Sequence, residues 1–325
     1  MRPDLQKLCD DFIANRDTVN KAFHLEYPQI YPICANIFLS HGQLADADII
    51  KNCKGYIKDH TSFVNNFRGS MYAPAACFLA CMKDPDEKMR QAAENYKLLK
   101  KYFTTSEQLV LAAMLLTELG SPESALHKTE RGKALFDLMK KEHIFITGEK
   151  DSVFAVLLAF SQKNDQAIID DIKRCLDNLK GMASRSYIRT VAQILSISDR
   201  PTDEKCARFS EIFNSLHSAG IKYGKSYELS VLASLSLSDV ETSQLVSDIG
   251  EVSDFLKTQK GYGFLGYSKH ERLMHAAMLV STCYSPAIGT NTAALSATIS
   301  IIVAEMIMMM VIIDTMVFTQ ITTTN

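Results

Sequence analysis

The feature that most constrains the fold is a degenerate repeat of about 40 residues that runs through most of the chain. The tetrapeptide AAML occurs twice, at 112–115 and at 276–279, and four related segments begin at compatible spacing between or before these copies. The apolar anchor positions of the six copies are separated by 37, 43, 37, 40 and 44 residues; they are Ala75, Ala112, Ala155, Ala192, Leu232 and Ala276.

Each copy follows the same pattern. A glycine, serine or threonine that can cap a helix comes first, charged or polar residues follow, and apolar residues then recur at helical spacing. A second amphipathic segment separates the copies, such as EKMRQAAENYKLLKKYF from Glu87. Glycine and proline are scarce, which favours helices over many short strands. The sequence therefore predicts an all-α, right-handed array of about six to seven two-helix repeats, a HEAT-like α-solenoid, with an irregular helical bundle as the alternative.

We predict a single helical-repeat domain over residues 1–290 and an apolar C-terminal helix over 291–325. The segment from Thr292 to Gln320 is apolar nearly all round, although Glu305 and Asp314 interrupt it and no lysine or arginine flanks its end. Three interpretations stay open for this helix. It packs on the array, it forms a homodimer interface, or it associates with a membrane, and the first two are favoured.

The eight cysteines are scattered and form no CxxC pair. Cys77 and Cys81 share a helical face, but the nearest candidates for further metal ligands, Cys53 and His60, lie on another predicted element. We therefore expect the cysteines to be small buried apolar residues in a reducing compartment. The N-terminal stretch MRPDLQKLCDDF contains no apolar run of the kind found in secretory signals, so the predicted location is cytoplasmic.

The stretch HERLMHAAML resembles a zinc-protease helix, but its histidines are misplaced. His270 and His275 are five residues apart, about 140° around a helix, and Met274 occupies the ligand position. The acidic stretch Asp46 to Asp48 is best interpreted as a helix start, where carboxylates favour the helix dipole. The chain also has no Walker loop, GxGxxG or GxSxG motif, so we predict no catalytic, cofactor-binding or metal-binding residues.

Basic residues recur where one helix ends and the next anchor helix begins. In a stacked array these junctions fall along one edge, which would form a basic ridge that attracts phosphate or an acidic peptide. The simpler interpretation, which the sequence alone favours, is that lysines near helix ends only compensate the helix dipole. The net charge of −2 argues against a general nucleic-acid binder. The predicted partner-binding ridge consists of Arg68, Lys100, Lys101, Lys140, Lys141, Arg185, Lys225, Lys269 and His270.

The function predicted from these patterns is a non-catalytic scaffold that binds a protein or peptide partner. One alternative is an enzyme or ligand-binding protein whose pocket lies in the helical concavity, with Arg68, His143 and Tyr227 converging on it. A second alternative is peripheral membrane association through the C-terminal helix.

The chain also resembles a helical family of bacterial proteins, found mainly in Firmicutes and called domain of unknown function 4003. The segments that carry the resemblance are FRGSM from Phe67, LLKKYFTTSEQLVLAAMLL from Leu98 and MKKEHIFITGEKDSVFAVLLA from Met139. The resemblance implies a soluble helical protein and brings no activity or catalytic residues with it.

Overall fold

The computed structural model describes residues 1–23, 28–142, 150–263 and 266–284, and within these ranges it contains helices and loops but no strand. The all-α prediction is therefore confirmed. The segment 291–325, with its packing, dimer and membrane interpretations, lies outside the described residues, as does His143. The helices in the described part of the chain are α1 (Pro3–Ala22), α2 (Tyr31–Ser40), α3 (Ala47–His60), α4 (Tyr72–Ala80), α5 (Pro85–Leu99), α6 (Gln108–Leu119), α7 (Pro122–Lys141), α8 (Lys150–Leu158), α9 (Asp165–Asn178), α10 (Arg185–Leu195), α11 (Thr202–Ser218), α12 (Glu228–Leu235), α13 (Thr242–Lys257) and α14 (Lys269–Tyr284).

The described residues form two compact units. The N-half unit contains residues 14–23, 28–38, 43–142 and 150–169, and the C-half unit contains residues 1–13, 39–42, 170–263 and 266–284. A single domain that ends at residue 290 stays a prediction.

All six anchor positions lie in the even-numbered helices from α4 to α14, and each anchor side chain is buried. Most of these helices are buried nearly all round. In α6 every residue from Gln108 to Thr117 is buried, whereas α10 buries only Ile188 and the residues from Val191 to Leu195. The odd-numbered helices between them are amphipathic, and α5 buries Met89, Ala92, Tyr96 and Leu99 along one face. The predicted alternation of apolar and amphipathic helices is therefore present.

Packing inside each unit joins helices of the same type as well as sequence neighbours. In the N-half unit, α3 packs on α4 and α5, α5 on α6 and α7, and α8 on both α6 and α7. In the C-half unit, α12 packs on α10 and α14, and α13 packs on α11 and α14. Gly132 of α7 shows how close one of these contacts is, because a Cβ atom there would lie 3.1 Å from the Cα atom of Val156 in α8.

Local capping sets several helix starts. The Oδ1 atom of Asp46 accepts hydrogen bonds from the N–H groups of Asp48 (2.8 Å) and Ile49 (3.1 Å), which confirms that this acidic stretch begins a helix. Ser268 and Glu271 form a reciprocal pair of hydrogen bonds at the start of α14. None of the described helices is both long enough and apolar enough to cross a lipid bilayer.

Candidate functional site

Four of the predicted ridge residues lie at one end of the C-half unit. Arg185 and Lys269 are the first residues of α10 and α14, His270 follows Lys269, and Lys225 lies three residues before α12. All four side chains are exposed. The starts of these three helices lie close together, because His270 of α14 approaches Glu228 of α12, and Tyr187 of α10 is near enough to Tyr227 to influence its pKa.

A buried carboxylate lies beside His270. Glu228, in the first turn of α12, is only 2% exposed, and its carboxylate folds back over Gly224, where a Cβ atom would overlap it. The carboxylate accepts a hydrogen bond from the Ser226 N–H (2.9 Å), and its Oε1 atom lies 3.8 Å from Nδ1 of His270. The Tyr223 hydroxyl donates to the Glu228 carbonyl (3.1 Å). We call Tyr187, Tyr223, Tyr227, Glu228, His270 and Glu271 the Glu228 cluster.

Two tyrosines of the Glu228 cluster are held in the protonated form. Burial raises the pKa of Tyr227 to about 12, and the neighbouring Glu271, Glu228 and Tyr187 side chains add to the effect. Burial also raises the pKa of Tyr223 well above its ordinary value. Tyrosine hydroxyls are neutral near pH 7 even without these shifts, and in the cluster they lie beside carboxylates, an arrangement that can hydrogen-bond a polar ligand or hold a cationic group.

In the N-half unit, four ridge lysines are exposed and one ridge arginine has a structural role. Lys100 and Lys101 follow α5, and Lys140 and Lys141 end α7. Arg68 is half-buried instead. Its Nε atom donates to the Thr61 hydroxyl (3.1 Å), and its Nη2 atom donates to the Lys58 and Thr61 carbonyls. The guanidinium group of Arg68 thus braces the loop between α3 and α4.

A second glutamate repeats the arrangement of Glu228 in the N-half unit. Glu107, directly before α6, accepts hydrogen bonds from the Ser70 hydroxyl and from the Ser70 N–H (3.4 Å). Its carboxylate also lies over Gly69, where a Cβ atom would overlap it. In both units a glutamate at the start of an apolar helix therefore binds a loop that contains glycine and serine. The sequence analysis missed both glutamates. The loop of Glu228 contains Gly224 and Ser226 close by in the chain, whereas Glu107 binds Ser70, which lies 37 residues earlier and leaves no local signal.

The histidines of HERLMHAAML have different environments. His270 is exposed, whereas His275 is buried, lies 2.9 Å through Nδ1 from the Tyr262 hydroxyl and contacts the Tyr262 and Tyr267 rings edge-on. His275, which comes one residue later than the second histidine of a zinc-protease helix, therefore packs against aromatic rings in the core. Within the described ranges, no three or more His, Cys, Asp or Glu side chains are arranged to hold a metal ion.

The cysteines are buried except for Cys283, which is half-buried, and several lie beside one another. Burial, together with the neighbouring thiols of Cys34, Cys81 and Cys53, raises the pKa of Cys77 well above its ordinary value. In the C-half unit the Cys206 thiol and burial raise the pKa of Cys175, whose thiol donates to an Asp171 carboxylate oxygen (3.9 Å). The interpretation of the cysteines as buried residues thus holds for seven of the eight.

A small surface groove of about 210 Å³ lies in the N-half unit between α5 and the junction of α6 with α7. Gln91, Asn95, Thr117 and Leu126 are among its lining residues. The residues predicted to converge on a pocket, Arg68 and Tyr227, do not line this groove.

Sequence similarity relates this chain to proteins of unknown function. The family whose sequence model matches residues 15–310 is described as "Protein of unknown function (DUF4003)". "Uncharacterized protein YeaA" of Bacillus subtilis (strain 168) is 27% identical over 159 residues, which make up 47% of this chain and 48% of the relative. The match thus spans about half the length of that curated relative. No solved structure matches the chain.

Proposed function

The chain belongs to the DUF4003 family of proteins of unknown function, and we propose that it is a non-catalytic, cytoplasmic helical-repeat scaffold that binds a protein or peptide partner. The observation that carries the proposal is the recurrence of exposed cations at the junctions that precede successive apolar helices. These junctions contain Lys100 and Lys101 before α6, Lys140 and Lys141 before α8, Arg185 at α10, Lys225 before α12 and Lys269 at α14.

The repeat part of the proposal is supported by the packing inside each unit. Several consecutive helices of the same type pack on one another. Among the even-numbered helices α6 packs on α8, α10 on α12 and α12 on α14, and among the odd-numbered helices α3 packs on α5, α5 on α7 and α11 on α13. This nearest-neighbour pattern is the one expected of stacked two-helix repeats. It also agrees with the spacing of about 40 residues between the anchor positions in the sequence.

The chemistry of the junctions indicates the kind of partner. Exposed lysines attract carboxylates or phosphates, and the half-buried Glu271, two residues after Lys269, adds a hydrogen-bond acceptor in the C-half unit. A partner that matches this edge would be mainly acidic and would carry some hydrogen-bond donors. Its binding should weaken as salt increases, because exposed charges are screened.

The test uses a fluorescein-labelled poly-glutamate peptide and fluorescence anisotropy over a range of salt concentrations. A ridge variant carries Lys100→Glu, Lys101→Glu and Lys140→Glu. A control variant of equal net charge carries Lys21→Glu, Lys51→Glu and Lys83→Glu, three lysines that are also exposed in the N-half unit.

We expect the ridge variant to bind about tenfold or more weakly than the unmodified chain, since three exposed charge contacts contribute about 0.5 kcal/mol each. The control variant should lose far less affinity. Equal losses in the two variants would mean that only net charge matters. No loss in either would contradict the ridge directly.

The Glu228 cluster favours a second candidate function, the binding of a small polar ligand. The Glu228 carboxylate is 2% exposed, and the exposed His270 approaches it to 3.8 Å from another helix, so a polar ligand bound at these helix starts would meet both groups. Amines and polyols are suitable probes in a thermal-shift screen. A stabilising compound should lose its effect in Glu228→Gln but keep it in Glu271→Gln if the buried carboxylate is the ligand-binding group.

A further inference from the structure

The loop between α3 and α4 exposes two adjacent apolar side chains at its tip. Phe63 is 85% exposed and Val64 is 86% exposed. No other large apolar residue in the described ranges exceeds 63%. Leaving apolar surface in water, compared with burying it, costs about 25 cal/mol for each Å². The exposed positions of Phe63 and Val64 therefore do not stabilise the fold.

The loop holds this tip outward with its own hydrogen bonds. The Asn65 N–H donates to the Ser62 carbonyl (3.0 Å), which closes a turn with Phe63 and Val64 at its two central positions. The Asn65 side chain then accepts from the Phe67 N–H (3.1 Å). The apolar pair is therefore presented by a hydrogen-bonded turn.

The base of the loop is anchored in the N-half unit on both sides. The guanidinium group of Arg68 ties it to the C-terminal end of α3. The buried Phe67 ring packs edge-on against the Tyr96 ring, with 5.6 Å between ring centroids, and the Asn66 amide donates to the Tyr96 hydroxyl (2.8 Å). These contacts explain why a loop with an exposed phenylalanine keeps a defined shape.

Exposed lysines surround the base of this tip. Lys58 lies near the end of α3, and its carbonyl is one of the acceptors for Arg68. Lys100 extends over the Tyr96 ring on which the loop rests, with Nζ 5.6 Å from the ring centroid, and Lys101 follows it.

Three carboxylates also lie near the loop. Glu107 binds Ser70, Asp86 contacts His60 (2.8 Å), and Asp59 is exposed beside Lys58. Together with Arg68, the three lysines make four cations against these three carboxylates, so the surface around the tip has a small positive balance.

We propose that the Phe63–Val64 tip inserts into an anionic lipid bilayer, with Lys58, Lys100 and Lys101 contacting the headgroup phosphates. The two apolar side chains enter the boundary between headgroups and acyl chains, and the lysines remain at the surface. This mode needs only a narrow apolar wedge and a few cations, because binding strength adds buried apolar area to attraction by anionic lipid. The proposal does not depend on the scaffold function.

A protein pocket is the less suitable occupant for this tip. The centres of protein interfaces are broad and well packed, and lysine is depleted in them. Here the apolar surface is limited to two residues, with the polar Ser62 and Asn65 on either side and lysines around the base. At the surface of an anionic membrane, by contrast, each lysine strengthens binding, by about fivefold in affinity.

The absence of tryptophan from the chain allows a clean test of insertion. The full-length variant Phe63→Trp carries one reporter at the tip, and Leu44→Trp carries one at another exposed apolar position of the N-half unit. Each variant is mixed with vesicles of phosphatidylglycerol and phosphatidylcholine, or of phosphatidylcholine alone. We expect a blue-shifted, quencher-protected emission only for Phe63→Trp and only with the anionic vesicles.

Vesicle sedimentation of the full chain measures the contribution of the tip. Phe63→Ser with Val64→Ser should lower the partition coefficient on the order of 100-fold, because it removes the transfer free energy of two apolar side chains. The matched control, Leu44→Ser with Ile49→Ser, should bind as the unmodified chain does, and far-UV circular dichroism checks that all variants are folded.

Two results would overturn the proposal. The first is an unchanged Phe63→Trp emission in the presence of anionic vesicles, even if the chain sediments with them through another segment. The second is equal binding by the tip and control serine variants.

Discussion

Lys205 offers the sharpest test of how the C-half unit is stabilised. Its side chain on α11 is fully buried, and its ammonium group lies 2.5 Å from a carboxylate oxygen of Asp171 on α9. The ammonium group also donates to the Ser198 carbonyl (3.2 Å), and the Thr202 hydroxyl donates to the other Asp171 oxygen (2.7 Å). This network connects two amphipathic helices through a buried charge pair.

Replacing Lys205 with methionine keeps most of the volume but removes the positive charge. Asp171 would then be a buried carboxylate without its cation, and such a loss costs about 3–5 kcal/mol of the free energy of unfolding. The combined variant Lys205→Met with Asp171→Leu removes both charges. Because neither charge then has to be desolvated, its stability should return to within about 1–2 kcal/mol of the unmodified chain.

The same two helices carry an exposed pair that provides the control. Arg174 of α9 and Asp203 of α11 are 3.3 Å apart, but their side chains are 61% and 74% exposed. Water screens this pair, so Arg174→Met should cost less than about 1 kcal/mol. Comparing Lys205→Met with Arg174→Met therefore tests the burial of the ion pair, because both pairs join the same two helices.

Urea unfolding followed by the helical circular dichroism signal measures each variant. The expected order of stability is unmodified chain, Arg174→Met, double variant and then Lys205→Met, with the first three close together. The burial argument is refuted if Lys205→Met costs no more than Arg174→Met. It is also refuted if Asp171→Leu added to Lys205→Met lowers stability further.

Three further predictions concern single positions. Gly132→Ala should lower the free energy of unfolding by about 1 kcal/mol in urea titration, because crowding against Val156 outweighs the gain in helix propensity. Gly181→Ala should lower the free energy of unfolding by about 1 kcal/mol, because Gly181 has a φ of +87° that alanine adopts with strain. Gly55→Ala inside α3, with open space around it, should raise that free energy by about 0.5–1 kcal/mol. A thermal unfolding experiment in which both variants shifted in the same direction would contradict this pair of predictions. Burial raises the pKa of Cys53 to about 11. The neutral thiol therefore contributes its full share to the free energy of unfolding below about pH 8.5, and that share is lost as the pH rises towards 11. Between these pH values the urea midpoint of Cys53→Ala should fall less steeply than that of the unmodified chain.

Much of the local structure could be predicted because it depends on residues close together in the chain. Ala112 and Ala276 fall in buried helices as their periodicity predicts, and Asp46 caps the helix that follows it. Lysines at helix ends are exposed as expected, because burying a strongly hydrated ammonium group would cost desolvation free energy.

The contacts that give the candidate site its chemistry could not be predicted in this way. Glu107 binds Ser70, 37 residues earlier in the chain, and His270 approaches Glu228 from a different helix. Arg68 was predicted to belong to a partner-binding ridge, but its guanidinium group braces its own loop. Such pairings depend on how helices stack, and a residue pattern within one helix does not specify that.

The sequence by itself therefore determined that this chain forms alternating apolar and amphipathic helices, because helix propensity, capping and hydrophobic periodicity act over a few residues. Only the tertiary structure decided which polar groups meet. It buried Glu228 beside His270, enclosed Lys205 with Asp171 and left Phe63 exposed to water. The physical reason is that desolvation and charge pairing depend on distances through space, which packing sets between residues far apart in the chain.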